Sequence, residues 1–220
     1  MIEFKKFFDL SQPVFEKCPG WPTYEMTTFR YEAFYPNDGY TAEQITMNSH
    51  TGTHVDAPFH FDPSGKTIDE FSVDTFCGEA VIIDLRKKIH EKEGIGKDLL
   101  EPYADRIHSG MIVLLNTGWS QKRGYSLEYY HDWPYLAKDG AEWLLEKRVK
   151  GVGIDCMSMG GWYEGTGRPC HEVLLPAHIW ILEEINIPEE LNQYEKCWLF
   201  AFPIKFKGFS GAPVRAVAAV

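Results

Sequence analysis

A mixed fold of strands and helices, α/β or α+β, is predicted by three features of the chain: short β-rich runs between turn signals, one well-formed helix, and no strict alternation of the two. The strand runs are EAVIIDL (79–85), MIVLLNTG (111–118), GVGID (151–155), CWLFAFPI (197–204) and PVRAVAAV (213–220). The helix is DGAEWLLEKRV, Asp139 to Val149. Ala141, Leu144, Leu145 and Arg148 recur at helical spacing, an acidic residue opens it, basic residues lie near its end, and Gly151 stops it. HEVLLPAHIWILEEI, His171 to Ile185, is a second helical candidate that Pro176 should break, and its second half reads equally well as a strand. Tyr35 to Tyr40 and Gly160 to Pro169 carry the richest loop signals.

At 220 residues the chain suits one domain spanning 1–220. A net charge of −10 and a pI near 5.3, with no compensating basic stripe, exclude nucleic acid and anionic lipid as expected partners. No window approaches the roughly 20 apolar residues of a membrane span, and the start lacks a signal-peptide core, so a soluble, cytoplasmic protein is expected. The five cysteines include no CxxC pair and read as buried small hydrophobes; Cys170, beside His171, is the one with an arguable nucleophilic role.

The chemistry concentrates in HTGTHVDAPFH, residues 50–60, where His50, His54, Asp56 and His60 all fall on even positions. An extended backbone sends alternate side chains to one face, so these four should point together, with Gly52 and Pro58 leaving room around them. Imidazoles with a carboxylate and no thiolate suit a borderline divalent cation in a catalytic site rather than a closed structural one. His90, His108 and His131 read as surface residues. His171 and His178 flank an apolar segment ending in Glu183 and Glu184, and spacing alone does not choose among these four for the further ligands.

Read from His50 to Phe61, the stretch resembles the HxGTHxDxPxHF motif of the metal-dependent cyclase-like hydrolases, a family that includes bacterial kynurenine formamidases and isatin hydrolases. The similarity continues through DLSQPV (9–14), NTGW (116–119), GIDCMS (153–158), HEVLL (171–175), ILEEI (181–185) and the closing GAPVRAVA. The resemblance implies His50, His54 and Asp56 on one metal, Asp56, His171 and Glu183 able to hold a second, and His60 as the acid–base group. It thereby favours His171 over His178 and Glu183 over Glu184. It also implies the family's swivelling β/β/α domain, a mixed sheet with a few helices, one or two Zn²⁺ or Mn²⁺ ions per subunit, and a homodimer or homotetramer.

The reaction so implied is hydrolysis of a carbonyl C–N bond, most like an arylformamidase converting N-formylkynurenine to kynurenine and formate. A bound divalent ion lowers the pKa of its water to about 7, and His60 can protonate the leaving nitrogen. Trp21, Tyr24, Trp162 and Tyr163 lie in loops suited to stacking on an aromatic small-molecule substrate. One segment departs from the family pattern: GGWYEGTGRPC stands where its formamidases carry a shorter stretch ending in Leu-Pro-Ala. The alternatives are an isatin-hydrolase-like opening of a cyclic amide or lactone and, from another class, a catalytically silent metal-binding or scaffold protein. An intact His60 argues against the latter.

Overall fold

The computed structural model describes residues 3–220. Its strands are β1 (Phe7–Asp9), β2 (Thr28–Ala33), β3 (Ala42–Thr46), β4 (His54–Asp56), β5 (Cys77–Asp84), β6 (Gly94–Ile95), β7 (Ile112–Asn116), β8 (Tyr135–Leu136), β9 (Gly151–Ile154), β10 (Trp180–Glu183), β11 (Lys196–Phe200), β12 (Gly211–Pro213) and β13 (Val217–Ala219). The α-helices are short: α1 (Tyr35–Asp38), α2 (Lys97–Leu100), α3 (Leu127–His131), α4 (Lys138–Glu146) and α5 (Pro169–Leu174). Nine strands form one sheet in the order β1-β13-β11-β5-β7-β9-β10-β4-β12, while β2 with β3 and β6 with β8 make small separate pairs.

Strands β5, β7, β9 and β10 pair in parallel, and every residue of β7, β9 and β10 is buried. Burial on both faces explains why these segments read as continuous apolar runs. Alternation divides them between two cores. Val81, Ile83, Val113, Leu115, Val152 and Ile181 face the helical side, whereas Ala80, Ile82, Leu114 and Leu182 face the other.

Several boundaries differ from the expected ones for local reasons. Helix α4 ends at Glu146, and Arg148 takes a φ of 56° outside it; Gly140, Ala141, Trp143 and Leu144 are its buried residues, while Leu145 is exposed. PVRAVAAV is not one strand: β12 ends in its first residue and β13 lies in its last four, with an exposed Arg215 between them paired to Asp9. CWLFAFPI leaves the sheet after Phe200. YPND forms one helical turn rather than loop, closed by Gly39 at φ 77°. The His171–Ile185 segment splits, giving helix α5 before Pro176 and strand β10 after it.

The HTGTHVDAPFH stretch is extended only over His54–Asp56. Gly52, at φ 67°, turns the chain just before β4, and a 3₁₀ turn at Pro58–His60 bends it just after. Parity therefore explains why His54 and Asp56 share a face, but His50 and His60 reach the same place by turns. Strand β4 pairs antiparallel with β10, setting His54 opposite Glu183, and β12 borders its other edge with Gly211 opposite Asp56. A side chain at Gly211 would meet His50 Cε1 at 2.7 Å, so glycine there admits the imidazole. Among the described residues no helix is long and apolar enough to cross a membrane.

Candidate metal centre

His54, Asp56, His171 and Glu183 are all at least 95% buried, and they come from β4, β10 and α5. Putting two carboxylates there is costly unless cations answer them. The histidines are oriented for that purpose. His54 Nδ1–H donates to the Gly52 carbonyl at 2.8 Å, leaving its Nε2 lone pair facing Asp56 Oδ1 and Glu183 Oε2, each at 3.3 Å. His171 repeats the device: Nδ1–H donates to the Gly167 carbonyl at 2.9 Å, and Nε2 stands 3.2 Å from Glu183 Oε1 and 3.8 Å from Asp56 Oδ2.

Acceptors thus converge on acceptors. His54 Nε2 and Asp56 Oδ2 are buried without any hydrogen-bond partner. Such orphans among close-set N and O donors fit a divalent cation better than a hydrogen-bond network, because the missing partner is positive charge rather than another dipole. Ligand atoms of His54, Asp56 and Glu183 lie within 4.8 Å of one another, as do those of His50, Asp56 and His60. Asp56 belongs to both groups.

Electrostatics agrees. Burial opposes charging His54, yet Asp56 and Glu183 outweigh it and raise the imidazole's pKa well above its ordinary value. Burial and Asp56 push Glu183 upward, but the bonds to His171 and His54 prevail and hold it at about 2. His60 goes the other way, to about 4, through burial, against the pull of Asp56 and with the help of His50 and His171.

His50 Nδ1 lies 2.7 Å from Asp56 Oδ1, and its Nε2 lies 2.8 Å from Ser210 Oγ. The His60 ring stacks on His50 with centroids 4.1 Å apart. Glu183 Oε1 also accepts from the Ser158 hydroxyl at 3.1 Å and the Met159 N–H at 2.6 Å. Phe61 lies almost parallel to the His171 ring at 4.5 Å. The sequence did not single out Phe61, Ser158, Arg168 or Ser210 in these roles, because only their place in the fold distinguishes them from other residues of their type. Cys170 is buried against His171, with Sγ 3.5 Å from Nδ1. Glu184 is directed away, accepting from Tyr129 and Arg123, and His178 is exposed at φ 61°.

A cavity of about 220 Å³ opens onto the cluster, and His50, His60, His171 and Glu183 line it. Of the four loop aromatics, Trp21 and Tyr24 form part of its wall. Burial raises the Tyr24 phenol's pKa, and the fields of Asp56 and Glu183 add to the rise. Trp162 stands behind Trp21 at 5.3 Å, and Tyr163 does not reach the cavity, its hydroxyl donating to Asp132 at 2.8 Å. Trp21 and Tyr24 also border a larger apolar hollow of about 380 Å³, which contains neither ligand group.

Residues 8–160 match the family described as "Putative cyclase". A kynurenine formamidase of Bacillus cereus is 33% identical over 98% of both chains, and one of Bacillus anthracis is 32% identical with the same coverage. Isatin hydrolase A from Labrenzia aggregata, bound to benzyl benzoate, superposes with a TM-score of 0.87 at 24% identity, covering 98% of this chain and 93% of that one. A potential metal-dependent hydrolase with cyclase activity gives a TM-score of 0.80 at 26% identity over 97% of each chain. With its mixed α/β fold and its His/Asp/Glu cluster capable of binding a divalent metal, the chain belongs to the cyclase-like hydrolase family, of the kynurenine formamidase and isatin hydrolase type.

Proposed function

We propose that the chain hydrolyses a carbonyl C–N bond, most like an arylformamidase acting on N-formylkynurenine, with His50, His54, Asp56, His171 and Glu183 as metal ligands and His60 as the acid–base group. The observation that carries this reading is the buried convergence of unpartnered imidazole and carboxylate atoms at the end of a cavity walled by Trp21 and Tyr24. When bound, a divalent ion supplies Lewis acidity toward the carbonyl and hydroxide at neutral pH. His60, stacked on His50 at the cavity wall, is placed to take the attacking water's proton and return it to the leaving nitrogen. Trp21 and Tyr24 offer faces on which an aryl group stacks, which orients the scissile bond and displaces water. Ser158 and the Met159 N–H hold Glu183 in place.

The relatives' activity supports the formamidase reading. Opening of a cyclic amide such as isatin is the second reading. It is favoured by the longer 160–169 segment and by the likeness to isatin hydrolase A from Ralstonia solanacearum, at 25% identity and a TM-score of 0.83.

The test is metal analysis of protein purified without added metal, followed by assays of N-formylkynurenine, isatin and simple lactones with Zn²⁺ and Mn²⁺ restored separately. Turnover of N-formylkynurenine with kynurenine released is the expected result, and turnover of isatin alone selects the second reading. Bound metal with no carbonyl substrate cleaved refutes both.

A further inference from the structure

Among the described residues, Arg168 is the one permanently cationic side chain lining the cavity, in a chain of net charge −10. Its place is set by three contacts. The guanidinium carbon lies 5.2 Å from the centre of the Phe61 ring, the ring that also packs on His171 at 4.5 Å. Nε–H donates to Glu172 Oε1 at 2.8 Å. The preceding carbonyl, Gly167, accepts from His171 Nδ1–H, tying the backbone at Arg168 to the candidate metal centre.

The side chain is largely exposed, and its direction is fixed by the ring and the ion pair rather than by burial. The ion pair with Glu172 uses only the Nε edge, and both Nη groups have no protein partner among the described residues. An arginine set over an aromatic ring and tied at Nε has given up part of its rotamer freedom before any ligand arrives, so its remaining donors are partly pre-oriented. They suit a planar anion held by two parallel N–H···O bonds.

We propose that Arg168 is a specificity-determining residue that binds a carboxylate on the substrate's aryl portion, so that the site prefers anionic aryl amides to neutral ones. The proposal rests on the amide-hydrolase reading for its substrate class, whereas the anion site is defined by Arg168, Phe61 and Glu172 alone. Lysine is not equivalent here. A point charge on a flexible stem neither stacks on Phe61 nor offers the fork.

The experiment compares wild type, Arg168→Gln and Arg168→Lys, all loaded with Zn²⁺, on formanilide and its 3- and 4-carboxy derivatives, and titrates each protein with benzoate by calorimetry. Wild type is expected to favour a carboxylated substrate about tenfold in kcat/KM, chiefly through KM, as one charge-assisted bidentate contact at a partly exposed site provides. Arg168→Gln should bring that ratio within about twofold of unity and weaken benzoate about tenfold, with Arg168→Lys recovering only part of either. Equal losses on neutral and anionic substrates, no preference in wild type, or unchanged benzoate affinity in Arg168→Gln would overturn the assignment. If wild type cleaves no formanilide, the aryl-amide substrate class fails while the benzoate titration still decides Arg168.

Discussion

Glu183→Gln separates a metal ligand from a structural carboxylate, because only the loss of a ligand also removes the rise in stability that metal brings. Without metal, the glutamine carbonyl keeps the acceptor for the Met159 N–H at 2.6 Å and for the Ser158 hydroxyl at 3.1 Å. Its new NH₂ replaces Oε2, which faces the His54 imidazole at 3.3 Å, so the charge-assisted pairing that holds the Glu183 carboxyl's pKa at about 2 is exchanged for a neutral contact, and the metal-free variant should be about 1 kcal/mol less stable. For a chain of this length that corresponds to roughly 2–4 °C in Tm. With metal the gap widens. Wild type at a metal concentration of 100 Kd gains about 2.7 kcal/mol, or roughly 5–10 °C. If loss of the carboxylate weakens binding about 100-fold, the variant gains only about 0.4 kcal/mol, or roughly 1–2 °C. Thermal scans of chelator-treated protein with and without Zn²⁺ or Mn²⁺ read both quantities. A variant that keeps the full metal-dependent rise would refute Glu183 as a ligand, and one that is more stable than wild type without metal would refute the ionised pairing with His54 and His171.

Three further outcomes follow from the same geometry. His60→Ala should retain bound metal while losing about 10²- to 10⁴-fold in turnover, and loss of metal from that variant would move His60, which groups with His50 and Asp56, into the ligand set. Gly52→Ala should cost at least about 1–2 kcal/mol in a denaturant titration, because Gly52 holds φ 67° and a Cβ would lie 2.9 Å from Val14 Cγ2; metal affinity should fall as well, since the Gly52 carbonyl orients His54. Trp21→Ala should raise KM for an aryl amide about tenfold, whereas Tyr163→Phe, which removes a hydroxyl bonded to Asp132, should leave KM within about twofold of wild type.

What could be read in advance depended on the range over which each feature is determined. Strands β5, β7 and β9 were legible because burial on both faces imposes continuous apolar runs, Ala80 to Ile83 in β5 and Ile112 to Leu115 in β7 among them. The His50–His60 cluster was legible because its groups are close in sequence. Its conformation was not, since an alternating pattern is compatible with turns at Gly52 and Pro58 that only β4's neighbours require. His171 and Glu183 could be paired with the cluster only through the family resemblance; the β4–β10 register that joins them spans more than a hundred residues. The hairpin of β2 and β3 escaped notice because TFRYEA and AEQIT are mostly exposed, so no core dictates their pattern. Arg168 has an ordinary sequence context, and its significance arises entirely from Phe61 lying beside it in space.

The carbonyls of Gly52 and Gly167 set which nitrogen of His54 and of His171 carries the proton. No side-chain substitution can delete a main-chain acceptor, so point changes that leave the backbone in place, unlike Gly52→Ala, keep this part of the site intact. Insertions and deletions are different, because one residue added between Gly52 and His54, or between Gly167 and His171, moves the carbonyl out of register and releases the ring. Redesign of the 160–169 loop toward new substrates therefore has freedom in composition but little in length at its C-terminal end.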